Sequence, residues 1–348
     1  MLTRPEELSD RPSVLPRVAI IVLNWNGWSD SVECLQSIFR STYGFYQVIL
    51  CDNGSSDDSV ARLKAWATEQ SIAFAEYCPL ARAFCADSEE GAPIVFMQID
   101  ENLGYAGGNN VGMRYALDTL GADYVWILNN DTVVEPRALA ELVALAESDR
   151  TTGVIGAKLL SYWQPAVIQA LGGGSLRGGI DTQIGRNQSS HPREHEEIDL
   201  DHVVGASMFV RAAAIRSVGY IDERYFLCRE ETDWCIKMRQ ANWNLVYCPT
   251  AIVWHKEGAS IGHKSELHDY YAIRNLFFLV QEHYPQYLPF TLIYWVFRGF
   301  GPKLLRLQFR RAAYVWRAYR DFFRGVDGKS DTFARYWQLV HLTTRKPK

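Results

Sequence analysis

Four times before residue 150, an apolar run stops abruptly on asparagine or aspartate and gives way to a helix-like stretch. "VAIIVLNWNG" precedes "SDSVECLQSIF", whose Val32, Leu35, Ile38 and Phe39 fall at helical spacing. "VILCDNGSSDDS" passes from a strand over Gln47 to Cys51 into a helix with Ser55, Ser56, Asp57 and Asp58 available as caps. "IVFMQIDENLGYAGGNNVG" and "YVWILNNDTVVEPRALAEL" repeat the plan, the last with Pro136 in a first helical turn. The apolar runs are continuous and rich in β-branched residues, as in strands buried on both faces. Units of this kind in succession predict an α/β fold, a Rossmann-like, mainly parallel sheet flanked by helices.

Ligands of such sheets gather outside the carboxyl ends of the strands. Those ends carry Asn24 and Asn26, Asp52 and Asn53, Asp100 and Asn102, and Asn129 to Asp131. A single Asn or Asp there is an ordinary turn residue, but four sets on one rim predict a cleft. Asp131 is a carboxylate suited to a hard divalent cation, Mg2+ or Mn2+, or else a helix cap. Asp52 can accept hydrogen bonds from a base or ribose, or simply form the turn before Gly54. The glycines of "ENLGYAGGNNVG" would let backbone N–H groups approach a phosphate at a helix start. The segment is neither GxGxxG nor a Walker loop, which excludes those two classes of nucleotide site.

Further along, "CREETDWC" gathers Glu230, Glu231 and Asp233 at the start of a helix. Acids there favour the helix dipole. Between apolar elements, one of them can instead act as a general base towards a hydroxyl. His255, at the end of "AIVWH", offers an imidazole to a metal or an ordinary surface hydrogen bond. The glycine-rich "LGGGSLRGGIDTQIGRNQ" reads as an irregular, mobile segment, with residues 172–185 a loop over an acceptor.

The chain has 348 residues, 48% hydrophobic and 22% charged, with a formal net charge of −4. That balance gives no reason to expect nucleic acid. The charge is uneven: from Gln286 onward the chain carries about +10, and the rest about −14. Seven scattered cysteines without a CxxC pair predict reduced thiols in a cytoplasmic setting. The N-terminus lacks the apolar core of a signal peptide, and no apolar run reaches the ~20 residues of a spanning helix. The tail "YLPFTLIYWVFRGFGPKLLRLQFRRAAYVWRAYRDFFRG" interleaves aromatic and basic residues. It reads as amphipathic helices on an anionic membrane surface, or as helices packed on the body or on a second subunit of a homodimer.

In order, "VAIIVLNWNG", "VILCDNGSSDDS", "ENLGYAGGNNVG", "WILNNDTVV", "VVGASMFVRAAAIRSVGYIDERYF", "REETDWCIKMRQANW" and "VWHKEGAS" resemble the inverting family 2 glycosyltransferases of GT-A fold. Within that family they are most similar to the rhamnosyltransferase-like branch. The resemblance implies a catalytic domain over 17–284, divided into a nucleotide-sugar half (17–150) and an acceptor half (151–284). Residues 1–16 would be an N-terminal extension and 285–348 basic, aromatic C-terminal helices. It implies that Asp131 and His255 hold the metal and that Asn24, Trp25, Asn26, Asp52, Asn102, Gly104, Asn109 and Asn130 line the donor pocket. Glu231 would be the catalytic base, with Glu230 and Asp233 beside it, and Gly205, Ala206 and Ser207 would shape the acceptor side. Lys256 and Ser260 would share the His255 loop, and Tyr271, Arg274 and Asn275 the helix after it. Asn129 replaces the first acid of the family's metal motif, and Glu231 stands where the family has aspartate.

The expected activity is transfer of a sugar, rhamnose from dTDP-rhamnose by branch resemblance, from a dTDP, UDP or GDP donor. The expected acceptor is a lipid-linked glycan, met by a peripheral protein at the inner face of the cell membrane. Two rival readings are a sugar nucleotidyltransferase and a non-catalytic glycan-binding protein. The first lacks a basic loop after the first strand, since "NWNGWSD" has no Lys or Arg. The second sits poorly with Asp131, Glu231 and His255 together.

Overall fold

The structure is a computed structural model describing residues 15–85, 91–177, 180–190, 198–257, 265–333 and 336. The expectations for residues 1–14, for Ser260 and for 337–348 lie outside the described residues. The first part of the chain builds β1 (Val18–Asn24), α1 (Trp28–Ile38), β2 (Tyr46–Asn53), α2 (Ser59–Glu69), β3 (Phe74–Cys78), β4 (Ala83–Phe84) and β5 (Ile94–Ile99). It continues through α3 (Gly104–Asp118), β6 (Tyr124–Asn129), β7 (Thr132–Val134) and α4 (Ala138–Ser148). Then come β8 (Thr152–Ser161), β9 (Ile168–Leu171), β10 (Gly173–Arg177), β11 (Ile180–Gln183), β12 (His202–Val203), β13 (Ser207–Arg211), α5 (Ala212–Val218), α6 (Glu230–Gln240) and β14 (Asn244–His255). Helices α7 (Glu266–His283), α8 (Leu288–Trp295), α9 (Gly301–Leu305) and α10 (Phe309–Phe323) follow.

Among the described residues one sheet runs β4-β3-β5-β2-β1-β6-β13-β8-β14-β7, with β9 paired to β8. Strands β3, β5, β2, β1 and β6 are parallel, and β13 joins antiparallel between β6 and β8. The mixed, mainly parallel sheet flanked by helices is therefore present. In β1, Val18, Ile20 and Val22 enter the core under α1, α2 and α4, while Ala19 and Ile21 enter the opposite core with α3, α5 and α6. Both faces are covered, which is why the runs are apolar without alternation. The order β5-β2-β1-β6 also sets the four polar strand ends side by side, with Asn24 opposite Asp52.

Two local expectations are corrected. The glycine-rich segment is not irregular: β10 and β11 form an antiparallel hairpin, joined to β12. Its glycines serve close strand approach, since a Cβ on Gly173 would lie 1.9 Å from the His202 carbonyl oxygen. The "ENLGYAGGNNVG" stretch is helical from Gly104. There Gly108 and Gly112 let α3 press on β1, where Cβ atoms would meet Leu23 at 2.5 Å and Ile21 at 3.0 Å.

The tail divides in two. Helix α10 lays Tyr314, Val315, Ala318, Tyr319 and Phe322 on α7, around Phe277 and Tyr270. Burying side chains of this size stabilises by roughly 1.5–3 kcal/mol each. Phe333, beyond α10, reaches the rings of Trp25 and Phe226 at 5.8 and 5.0 Å. Helices α8 and α9 and the turns beside them instead leave Phe290, Ile293, Phe297, Leu305, Leu307 and Phe309 exposed. No described helix is long and apolar enough to cross a membrane.

Candidate active site

At the β1 and β2 end of the rim, the polar strand ends satisfy one another. Asn24 Nδ2 donates to Asp52 Oδ2 at 2.7 Å, and Asn24 Oδ1 accepts from Ser31 Oγ at 2.8 Å. Asn130 Nδ2 donates to the same Ser31 Oγ at 2.9 Å and to the Gly27 carbonyl at 3.1 Å. Asp52 also accepts from Ser55, through its backbone N–H at 3.0 Å and its hydroxyl at 2.6 Å. Asn26 Oδ1 takes the Ser56 N–H at 2.8 Å, and Trp25 stacks towards Phe333. The chain Asp52–Asn24–Ser31–Asn130 is buried, so its geometry is set by hydrogen bonds that no ligand has to supply.

The start of α3 is closed to a phosphate. The N–H groups of Leu103, Gly104 and Tyr105 go to Asn53 Oδ1, Asn102 Oδ1 and the Phe226 carbonyl at 3.0, 2.8 and 2.8 Å. Gly104 has φ +75°, and a Cβ there would lie 2.1 Å from the Phe226 oxygen. Asn109 lies inside α3, fully buried, donating to the Tyr105 carbonyl at 2.9 Å. These placements correct the phosphate-cradle expectation: the donors are already used.

Asp131 owes its position to a long-range pairing. Strand β7 runs antiparallel to the end of β14, with Thr132 opposite His255, and the Asp131 carbonyl accepts the Lys256 N–H at 3.0 Å. His255 Nε2 consequently stands 3.2 Å from Asp131 Oδ1, both side chains nearly buried. Gln169 on β9 fixes the ring. Its Nε2 donates to the His255 carbonyl at 2.7 Å, which turns its Oε1 to Nδ1 at 2.9 Å. Nδ1 is thereby committed to Gln169, and Nε2 is the ring nitrogen that faces the carboxylate oxygen. A carboxylate oxygen beside an imidazole nitrogen is a ligand set that suits Mn2+ or Mg2+. Lys256 is held elsewhere, with Nζ 2.5 Å from Asp30 and 2.6 Å from Glu33.

The acids of α6 divide by the partners that surround them. Glu230 and Glu231 line a cleft of about 730 Å3 together with Asn129, His255, Gly205, Ala206 and Tyr105. Glu230 is almost fully buried, and burial, then the charge of Glu231, pushes its carboxyl well above the usual range. Asp233 points away, which corrects its grouping with the other two. It is fully buried, 2.7 Å from both His283 Nε2 and Lys237 Nζ. Asp233, Glu282 and His283 bring ligand-type atoms within 4.8 Å of one another, but the Lys237 ammonium is the cation among them. Ser207 is also turned from the cleft, accepting from Trp126 Nε1 at 3.0 Å inside the core.

The loop before α6 is strained and clamped. Phe226, Cys228 and Arg229 have φ of 49°, 67° and 78°, a cost of about 1–3 kcal/mol each for non-glycine residues. Asn275 Nδ2 on α7 holds it by donating to the carbonyls of Tyr225, Leu227 and Cys228 at 2.6, 2.8 and 2.9 Å. Arg274, fully buried between Tyr270 and Tyr271, donates to the Gly328 carbonyl at 3.0 Å and so ties the tail to the same helix. Tyr105 OH donates to the Gly205 carbonyl at 2.6 Å beside Glu231. Sequence reasoning missed Gln169 and Tyr105. Tyr105 lay within a quoted segment, whereas nothing marked Gln169.

Residues 19–170 match the family described as Glycosyl transferase family 2. A low-salt glycan biosynthesis hexosyltransferase of Haloferax volcanii, Agl10, is 24% identical over 245 residues, covering 70% of this chain and 69% of that protein. The N-acetylglucosaminyl-diphospho-decaprenol L-rhamnosyltransferase of Mycobacterium tuberculosis is 26% identical over 269 residues, 73% of this chain and 80% of that one. The crystal structure of GalNAc-T7 with UDP, GalNAc and Mn2+ superposes with a TM-score of 0.57 at 15% identity, over 79% of this chain and 49% of that one, so the chain spans about half its length. The family match and the shared sheet architecture lead to one conclusion: residues 19–170 carry a glycosyl transferase family 2 domain, within a chain that has the GT-A fold.

Proposed function

We propose that the chain is a metal-dependent, inverting glycosyltransferase that moves one sugar from a nucleoside diphosphate donor to a hydroxyl of a lipid-linked glycan. The observation that carries this reading is the Asp131–His255 pair, braced by Gln169, with His255 and Gln169 lining the same cleft as Glu231. Asp131 and His255 would hold Mn2+ or Mg2+, which when bound offsets charge developing on the departing diphosphate. Asp52, Asn24, Asn26 and Asn130 would form the wall that receives base and ribose, with Trp25, Asn102 and Gly104 behind it. Glu231 accepts the proton of the acceptor hydroxyl while that oxygen bonds to the anomeric carbon. The bond from that carbon to the diphosphate breaks on the opposite side, so configuration inverts without a covalent intermediate. Burial, then the charge of Glu231, raises the Glu230 carboxyl well above the usual range, which sets it apart from the base role given to Glu231.

Rhamnose from dTDP-rhamnose is the donor we assign, on the likeness to the mycobacterial rhamnosyltransferase, whose name also specifies a lipid-diphosphate acceptor. The exposed apolar residues of α8 and α9 support a membrane station. Phe297, Leu305, Leu307 and Phe309 are flanked by Arg298, Lys303, Arg306 and Arg310, complementary to an anionic bilayer. Vesicle flotation tests this part: capture by phosphatidylglycerol vesicles, lost on pairing Leu305→Ser with Arg306→Glu, is expected. No capture, or dimers in its place, contradicts it. The transfer itself is tested with dTDP-rhamnose and lipid-diphosphate-linked glycans of one to three sugars, scoring the product linkage by NMR. Inversion is expected; a retained configuration contradicts the mechanism.

A further inference from the structure

Beside the catalytic cleft lies a second recess, of about 270 Å3, that the reaction as described does not use. Its wall includes Trp163, Gln164 and Asn187, and it shares Gln169, Arg186 and Glu257 with the cleft. Trp163 is 73% exposed. Most of the other large exposed apolar residues belong to the C-terminal helices, far along the chain from this turn.

The turn that carries Trp163 is well anchored. Tyr162 donates to Glu33 Oε1 at 2.7 Å and lies under the Lys256 ammonium at 5.0 Å. Trp163 meets the Tyr162 ring edge-on at 4.9 Å. The backbone closes after it, with the Val167 N–H donating to the Gln164 carbonyl at 2.8 Å. An exposed indole held in place offers its flat face without a large ordering cost. Around it stand amides, a guanidinium and a carboxylate, with Arg186 and Glu257 paired at 2.9 Å. Planar polar groups that donate and accept in pairs match vicinal hydroxyls, and a pyranose ring presents C–H bonds to an aromatic face.

We infer that this recess is a second sugar subsite, so that the acceptor is an oligosaccharide of at least two residues. The residue that receives the new sugar lies by Glu231, and an inner residue of the same glycan stacks on Trp163. The inference rests on the acceptor-cleft reading above and deepens it. Specificity for acceptor length then comes from the β8–β9 connection rather than from the catalytic acids.

The test is binding of the full chain, with Mn2+ and a nucleoside diphosphate present, to an array of immobilised bacterial-type glycans one to six residues long. Wild type should retain a subset of the longer glycans. Trp163→Ala should weaken these about tenfold, Trp163→Phe much less, and single sugars not at all. Wild-type protein that holds no oligosaccharide, or a Trp163→Ala profile that superimposes on wild type, overturns the subsite. Calorimetry with the nucleotide on the same samples separates the two failures. Intact nucleotide binding with an unchanged glycan profile removes only the subsite. Wild type that binds no nucleotide removes the transferase reading and the subsite with it.

Discussion

The two sides of the cleft are built by opposite rules. On the side of β1 and β2, Asn24, Asp52, Ser31 and Asn130 hydrogen-bond to one another, and the rim is complete as it stands. On the other side such closure is incomplete. Glu230 has a buried carboxyl oxygen with no hydrogen-bond partner among the described residues, and Asp131 stands 3.2 Å from the His255 ring nitrogen. A finished network fixes shape, whereas an unfinished one retains the capacity to take up a proton or a cation. Shape and chemistry are thereby separated across one strand, β6.

The largest break in this contrast should come from Glu231→Gln. Transfer should fall roughly 10²–10⁴-fold with nucleotide binding unchanged, read by product release and calorimetry. Parallel loss of both would merge the two sides. Asp233→Asn, two residues on, should do the reverse. Breaking its buried pairs should lower folding stability by roughly 3–5 kcal/mol in urea titrations, while turnover of the folded fraction stays near wild type. Gln169→Leu removes both bonds that orient His255. Mn2+ affinity by electron paramagnetic resonance should weaken roughly 10–100-fold, with Gln169→Glu recovering part of it.

The smallest effect concerns Glu230. Its folded-state pKa is raised, so the folded protein keeps a proton that the unfolded chain releases above the ordinary value of 4.5. Stability from this group is thus complete below that value and declines as pH rises towards the folded pKa. Glu230→Gln should raise Tm by a few degrees at pH 8 and leave it unchanged at pH 4, checked by calorimetric scans. An equal shift at both pH values would mean that burial does not hold the carboxyl neutral.

The sheet was legible because a strand buried on both faces has to be apolar throughout, and its end has to turn polar where ligand or water begins. Val18 to Leu23 and Tyr124 to Leu128 state this outright. The glycines of α3 were misread because Gly serves phosphate approach and tight helix packing with the same letter. The separation of Asp233 was not legible, since it lies three residues from Glu230, on the same helix face, and its partner His283 comes from α7. The partnership of Asp131, His255 and Gln169 was not legible as a unit. It depends on β7 pairing with β14 and β9 with β8, registers that no local pattern encodes.

The central claim is that Asp131 and His255 form a cation site serving a nucleoside diphosphate. It is met most directly by titrating dTDP, UDP and GDP into wild type and Asp131→Ala, with and without Mn2+. The account predicts that one nucleotide binds wild type tightly only with Mn2+, and that Asp131→Ala abolishes the gain. Equal binding with and without the ion, or an undiminished Mn2+ effect in Asp131→Ala, would contradict it.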